Sequence, residues 1–382
     1  MHIVHVISSL FPGGAQSALF RLCTSDTRNR HTVLTLIGGG DLEAPLREQG
    51  AEVVSMGFSR QGVSLGGMVR LWRAMRRYRP DLVQTWMYHP DLLGGLSARL
   101  AGIRLVCWGI RHTALEAGQS SRSSILAARL CARLSGLVPR RIVCCASEAL
   151  RLHEALGYRG AKMVVIPNGY DLSDYRPFAP GEIAAYRRER LDIDASRPLL
   201  GMVGRFNVQK DHPTLLKALA ELKARGHDVL CLLVGASLDA DNTALAGWIE
   251  ELGLASHVRL LGRRSDIPAI MNSLDLHILS SAFGEAFPNV IAEAMACATP
   301  CVGTDVGDTD QIIDDTGWVV PPRDPQRLAD AIESALNERD AAPAAWEQRR
   351  QACVARIGEH FTIDRMVSSY NEVWSGCLSS AT

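Results

Sequence analysis

The sequence predicts an α/β protein made of two doubly wound, Rossmann-like halves in tandem. Three observations carry this. Short β-branched runs alternate with helix-period runs along the whole 382-residue chain, the rhythm of βαβ units and of parallel sheets covered on both faces. The length suffices for two full cores. A strong turn sequence, Asn168-Gly-Tyr-Asp171, interrupts the alternation near the middle.

In the first half, the strand-like runs are His2 to Ser8, Thr32 to Ile37, Glu52 to Met56, Leu82 to Thr85, Leu105 to Gly109, Ile142 to Ala146 and Met163 to Pro167. Helical patterns separate them at Ala15–Cys23, Asp41–Gln49, Gly67–Tyr78, Pro90–Leu100, Ser123–Ser135 and Glu148–Leu156. A second series starts after Arg176-Pro177. Pro198–Gly204 and Val229–Gly235 read as strands around a helix at Pro213–Arg225, whose Leu215, Leu216, Leu219 and Leu222 share one side. Thr243–Leu252, Val258–Leu261, Ile267–Asn272, Leu274–Ser280, Pro288–Ala298, Cys301–Gly303 and Trp318–Val320 continue the alternation, and Ile363–Leu378 is helical in pattern.

Composition removes several classes. Acidic and basic residues balance at 41 each, so no bulk attraction to nucleic acid is expected. Ten cysteines lie in apolar runs without a C-x-x-C pair. The adjacent Cys144 and Cys145 alternate across a strand and do not suit a bridge. Buried thiols in a reducing compartment are expected. Met1 to Ser8 lacks a basic leader and reads as a first strand. No run reaches transmembrane length, and the expected location is the cytoplasm.

The most informative stretch is Phe283-Gly-Glu-Ala-Phe-Pro-Asn-Val-Ile-Ala-Glu293. It follows the run Leu274–Ser280, and ligands of parallel sheets bind at the carboxyl ends of strands. Pro288 suits the first turn of a helix. The amides of Asn289 and Val290 then have no carbonyl one turn back and, with the helix dipole, suit an anion. Glu285 is expected exposed on the loop, and Glu293 half-buried beside the apolar face of the helix. Two carboxylates at this spacing are by themselves often mere solvated charges. In this position, the stretch resembles the E-x7-E signature of the retaining GT4 glycosyltransferases of the GT-B fold. Ala286 stands where that family usually has Gly.

The resemblance implies two Rossmann-like domains facing across a cleft. The expected boundaries are 1–176, joined by a terminal helix at 361–382, and 177–360. It also implies roles for other residues. Pro12-Gly13-Gly14-Ala15 is by itself a tight turn or a close approach to a ligand, and it is not the G-x-G-x-x-G dinucleotide pattern. In the family, such a Gly-Gly loop faces the donor. Arg205 and Lys210 follow a strand, as two cations that clamp a diphosphate would, and they are similar to the family's G-R-x-x-x-x-K-G loop, with Asp211 in place of Gly. Trp108-Gly-Ile-Arg-His112 ends a strand of the first half, where the family carries a His that contacts the transferred sugar. Arg111 beside it is a candidate for an acceptor phosphate. Gly262-Arg-Arg-Ser-Asp-Ile267 resembles the loop that holds the base, with Arg263 near the donor. Glu293 would bind ribose hydroxyls and Glu285 those of the sugar. Thr304-Asp-Val-Gly307 is similar to the family's T-x-x-G-G loop, with Asp308 replacing the second Gly.

The implied reaction is transfer of a sugar from a nucleotide-sugar, expected to be a UDP-sugar, to a glycan or polyprenyl-linked acceptor, with retention. The implied catalytic set is Glu285, His112, Arg205 and Lys210. The donor site adds Gly13, Gly14, Arg263, Ile267, Ala286, Phe287, Pro288, Asn289, Val290 and Glu293. No metal or other cofactor is expected. Asp192–Asp194, Asp239–Asp241 and Asp308–Asp310 resemble D-x-D pairs, but the Arg205/Lys210 charge already does a metal's work. Two basic helical stretches, 67–79 and 122–141, suit either a solvated face over a sheet or peripheral contact with the inner face of the plasma membrane. The rival readings are a GT-B nucleotide-sugar epimerase and a non-catalytic sugar-nucleotide-binding subunit.

Overall fold

The computed structural model describes residues 1–59, 62, 64–113, 120–193 and 197–379. It contains two compact units, Met1–Gly169 with Ile363–Thr382, and Tyr170–Thr362. The crossing falls inside the Asn168-Gly-Tyr-Asp171 turn, at Gly169/Tyr170, and not after Arg176.

In chain order the first unit holds β1 (His2–Ile7), α1 (Gly14–Ser25), β2 (Arg30–Thr35), α2 (Glu43–Glu48), β3 (Glu52–Ser55), α3 (Leu65–Tyr78) and β4 (Leu82–Trp86). There follow α4 (Tyr88–Leu100), β5 (Val106–Ile110), α5 (Arg122–Leu134), β6 (Arg141–Cys144), α6 (Ser147–Ala155) and β7 (Met163–Val165). The second unit holds α7 (Pro180–Arg190), β8 (Leu199–Val203), α8 (His212–Ala224), β9 (Leu230–Val234), α9 (Thr243–Glu251), β10 (Val258–Gly262) and α10 (Ile267–Ser273). It continues with β11 (Leu276–Leu279), α11 (Asn289–Ala296), β12 (Cys301–Thr304), α12 (Thr309–Ile313), β13 (Trp318–Val320), α13 (Pro325–Ala341) and α14 (Pro343–His360). A last helix, α15 (Ile363–Ser379), returns to the first unit.

Both sheets are parallel throughout. The first runs β3-β2-β1-β4-β5-β6-β7 and the second β10-β9-β8-β11-β12-β13. In each, the winding reverses once beside the first strand, between β1 and β4 and between β8 and β11. At such a reversal the loops from neighbouring strands part on opposite faces and leave a crevice at the carboxyl ends. Central strands such as β5, β8 and β9 are buried along their whole length, which is why they read as continuous apolar runs rather than alternating ones.

The terminal helix belongs to the first core because of what it carries. Met366, Tyr370, Trp374 and Cys377 repeat at helical spacing and pack with Ile3, Trp86 and Cys107. Trp374 Nε1 donates to Gln84 Oε1 at 3.2 Å. All ten cysteines are free and buried. Cys107 and Cys377 lie 3.8 Å apart, sulfur to sulfur, as a hydrogen-bonded pair and not a bridge.

Candidate functional site

In the second unit, the two loops leaving the reversal point are those of Arg205–Lys210 and Ser280–Pro288. They are tied together. Ala282 N donates to Gln209 O at 2.8 Å. Ser280 Oγ donates to Lys210 O at 2.9 Å. Lys210 Nζ donates to Glu285 Oε1 at 2.7 Å, and Ser281 Oγ reaches the same oxygen at 2.7 Å. Glu285 is therefore buried, only 8 % exposed. This corrects the expectation of an exposed carboxylate: the loop turns inward because Lys210 and Ser281 supply the bonds that water would otherwise give. Burial alone would push the Glu285 carboxyl up. The Lys210 charge, and hydrogen bonds from Lys210, Ser281 and Gln209, outweigh it and hold Glu285 below its ordinary range.

The two cations of this loop thus differ. Lys210 is engaged with Glu285, whereas Arg205 is exposed and has no ion pair among the described residues. Asp211, where the family pattern has Gly, has φ +49°. The left-handed region explains the usual Gly, and Asp occupies it while capping α8. Its carboxylate accepts from Thr214 Oγ1 at 2.7 Å and Thr214 N at 3.4 Å.

Pro288 caps α11 rather than opening its first turn, and the helix spans Asn289–Ala296. It ends two residues before the expected Ala298, whose φ of +60° is left-handed. Ala286, Phe287 and Pro288 are buried, while Asn289, Val290 and Glu293 are half-buried. Asn289 Oδ1 accepts from Tyr170 OH at 2.5 Å. Phe287 stacks on Tyr170 and meets Phe361 edge-on. Beneath the Glu285 loop runs the Thr304–Gly307 loop. Thr304 Oγ1 donates to Ser281 O at 2.6 Å, and Asp308 N to Ala286 O at 2.9 Å. A Cβ on Gly307 would stand 2.4 Å from Glu285 O, and its φ is +66°.

After β10, Arg263 is exposed and Ile267 opens α10 half-buried. Arg264, next to Arg263, grips Asp266 with two bonds of 2.9 and 2.6 Å, and Tyr186 OH adds one at 2.7 Å. The Arg264 bond, foremost, holds the Asp266 carboxyl at about 2. Asp194 of the Asp192–Asp194 pair lies outside the described residues. A cavity of about 770 Å³ in this unit lies away from the Lys210–Glu285 pair. Phe178, Leu274, Trp346 and Val354 are among its lining, and Leu274 and Ala298 place it at the amino ends of β11 and β12.

In the first unit, Gly13 and Gly14 follow β1 at the reversal point. Gly13 is extended, with φ 179°, and caps α1, so its backbone torsion does not demand glycine. His112 lies past β5, half-buried, with Nε2 3.1 Å from Ser120 Oγ. Arg111 is not left for an acceptor phosphate. It donates to Asn168 Oδ1 and, at 2.5 Å, to Tyr370 OH, and it sits 4.7 Å over the Trp86 ring. It fastens α15 and the crossing turn to the end of β5.

Among the described residues, His5, Cys23 and His31 have metal-ligand spacing. Their bonding is that of a hydrogen-bonded chain. Trp86 Nε1 donates to His5 Nδ1 at 3.1 Å, and His5 Nε2 is 2.9 Å from His31 Nδ1. His31 Nε2 lies 3.3 Å from Asp26 Oδ2. With His5 Nδ1 accepting, a neutral ring carries its proton on Nε2. Metal at that nitrogen would require an imidazolate. Burial, then the neighbouring His31, hold the His5 ring well below its ordinary value.

Sequence reasoning missed Ser281, Gln209 and Tyr170. A Ser-Ser pair just past a strand was a weak signal for the first. Nothing local marks the other two.

The model for Glycosyltransferase Family 4 matches residues 12–174, and that for glycosyl transferases group 1 matches residues 186–352. The putative glycosyltransferase EpsF of Bacillus subtilis (strain 168) is 27 % identical, over 79 % of this chain and 79 % of that protein. The UDP-Gal:alpha-D-GlcNAc-diphosphoundecaprenol alpha-1,3-galactosyltransferase of Escherichia coli is 24 % identical, over 71 % of this chain and 70 % of that protein. The crystal structure of Anabaena HepE in complex with UDP-glucose superposes with a TM-score of 0.86 at 22 % identity, covering 98 % of this chain and 100 % of HepE; at that identity the likeness shows the fold. With both halves matched in order, the chain belongs to the GT4-type glycosyltransferases of the GT-B fold.

Proposed function

We propose that the protein transfers a sugar from a UDP-sugar to a glycan or lipid-linked saccharide acceptor, with retention at the anomeric carbon, in cell-surface polysaccharide or glycolipid biosynthesis. The observation that carries the reading is the Lys210–Glu285 pair at the reversal point of the second sheet, 2.7 Å long and beside the start of α11. The names of the Escherichia coli relative and of the HepE complexes support the donor and the acceptor class.

In this reading Arg205, exposed and without an ion pair among the described residues, meets the diphosphate first. Lys210 and the amides of Asn289 and Val290 stabilise its charge as the sugar leaves. Glu285, held ionised by Lys210, accepts hydrogen bonds from sugar hydroxyls. Glu293 takes the ribose, and Arg263 and Ile267 flank the base. Gly13, Gly14 and His112 serve from the carboxyl ends of the first sheet. The leaving diphosphate helps to deprotonate the acceptor, so Glu285 is not a nucleophile. These cations supply the charge, and no metal is required.

Nucleotide release with and without acceptor tests the reading. Release that requires acceptor supports transfer. Conversion of the donor to an epimer without acceptor supports the epimerase, and binding without turnover supports a non-catalytic subunit. Proton NMR of the product then reads retention directly.

The same proposal includes peripheral contact with an anionic membrane through α3 and α5. No helix among the described residues is long and apolar enough to cross a membrane. The outer face of α3 carries Leu65 (88 % exposed) and Val69 together with exposed Arg70, Arg73, Arg76 and Arg77, and the helix has no acid.

A further inference from the structure

The first unit has a second concentration of positive charge, at the ends of its strands opposite to Gly13, Gly14 and His112. A pocket of about 330 Å³ is walled by Arg99, Arg104, Arg140 and Lys162, together with Leu105, Gly136, Leu137, Val138 and Pro139. Each cation comes from a different place in the chain. Arg99 ends α4, Arg104 precedes β5, Arg140 precedes β6 and Lys162 precedes β7. The parallel sheet therefore gathers them at its amino edge.

Among the described residues, no carboxylate lines the pocket. Among the described residues none forms an ion pair with Arg99, Arg104 or Lys162, although ion pairs are frequent elsewhere in the chain. The arrangement is built. The Lys162 ammonium donates to Pro139 O at 2.8 Å, Gly136 O at 2.6 Å and Ser135 O at 3.2 Å. Its three donors are thereby used, and it contributes fixed charge. Burial, and then the charges of Arg140, Arg99, Arg159 and Arg141, push its ammonium down. Arg99 Nη1 donates to Arg104 O at 3.1 Å, which fixes the α4 end against the β5 approach. Like charges held close together repel one another, and a bound anion relieves that repulsion.

Beside the cations stand two apolar side chains in water. Leu137, in the wall, is 73 % exposed, and Leu100, next to Arg99, is 75 % exposed. An adjoining pocket shares Arg104 and Leu105 and adds Arg76 and Arg79 from the end of α3, together with one acid, Asp81.

We propose that the pocket at the amino edge of the first sheet is a phosphate-binding site, distinct from the donor site, that takes a phosphate or diphosphate group. The guanidinium groups of Arg99, Arg104 and Arg140 give planar donors to the oxygens, and Lys162 adds charge from below. The phosphate has two sources, a free diphosphate or the headgroup of an anionic lipid. Leu100 and Leu137 would follow a lipid headgroup into the acyl boundary. The site does not rest on the donor reading, and the test separates the two.

The full chain and its R99Q/R104Q/R140Q variant are titrated calorimetrically with inorganic pyrophosphate. Both are also floated with vesicles of phosphatidylcholine, with and without phosphatidylglycerol. All three arginines are exposed, so the fold should survive; if the melting temperature of the triple variant falls, Arg104→Gln alone replaces it. Pyrophosphate also fits the Arg205 loop. The reading is therefore the difference between the two proteins, and an Arg205→Ala background must leave that difference intact. A tenfold or greater weakening of one pyrophosphate site assigns a free diphosphate. A tenfold or greater loss of flotation with phosphatidylglycerol vesicles, with the pyrophosphate titration unchanged, assigns a lipid headgroup. Equal behaviour of both proteins in both measurements overturns the proposal.

Discussion

Lys210 and Glu285, 75 positions apart in the chain, form a nearly buried ion pair with 2.7 Å between nitrogen and oxygen. In the proposed reading the pair also serves donor binding. Removing one partner leaves the other charge buried, at a cost of about 3–5 kcal/mol. Lys210→Ala should therefore lower the melting temperature and abolish transfer. Adding Glu285→Gln to it should recover much of the stability and none of the transfer. Calorimetry and a nucleotide-release assay on the two variants check this; a double variant as unstable as the single one would remove the pair from the account.

The sign of the acid response follows from the same pair. Glu285 has a folded-state pKa below its unfolded value. Its contribution is complete above the ordinary carboxylate range and is lost as pH falls through the folded value. Glu285→Gln should flatten the stability profile below about pH 4.3, as read by thermal melts in a pH series.

Arg205 should behave differently from Lys210, because it is exposed and pairs with nothing among the described residues. Arg205→Ala should leave the melting temperature unchanged. Turnover should drop by about 10²–10³, the usual loss when one donor to a developing charge is removed. A turnover within a factor of three of wild type would take Arg205 out of the diphosphate site.

Gly307 supports the Glu285 loop from below. Ala there would push against Glu285 O and Ala286 O and would also be held at a positive φ. Gly307→Ala should cost stability by about 1 kcal/mol or more and should weaken donor binding, measured by the thermal shift that UDP-sugars produce.

Three buried histidines predict a second pH dependence. Burial holds His153 and His212 at about 4 and His277 at about 3, and the Lys210 charge adds to the last two. Each is neutral when folded and charges when unfolded below about pH 6.5. Stability is thus complete above that pH and declines as pH falls toward 4, by about 1.4 kcal/mol per pH unit for each ring. Neither nitrogen of His277 has a hydrogen-bond partner among the described residues. His277→Leu should reduce that slope by about one proton's worth; an unchanged slope would show that the ring is not the source.

Neutralising Arg73, Arg76 and Arg77 together should reduce binding to phosphatidylglycerol vesicles, by about 1 kcal/mol for each charge brought near the surface. Retained binding in a flotation assay would end the proposed role of α3.

The loops that carry Arg205, Lys210 and Glu285 were legible because they follow strong strand patterns, and the start of α11 was placed to within a residue. The burial of Glu285 was not legible. It depends on Lys210 and Ser281, and only the order β8-β11 brings the two loops side by side. Arg111 was misjudged for a like reason: its partners, Asn168 and Tyr370, lie far along the chain. Helices α7, α13 and α14 were not marked in the sequence. The hydrophobic stripe of α7 is weak, with no buried residue.

What the sequence by itself determined was the alternation of elements and the two-part organisation, because period and turn chemistry are local properties of the chain; the family showed through a resemblance carried by short motifs such as Phe283–Glu293. Tertiary structure decided which charges meet. Strand order is set by long-range packing, and it alone made Lys210 the partner of Glu285 and gathered Arg99, Arg104, Arg140 and Lys162 around one pocket.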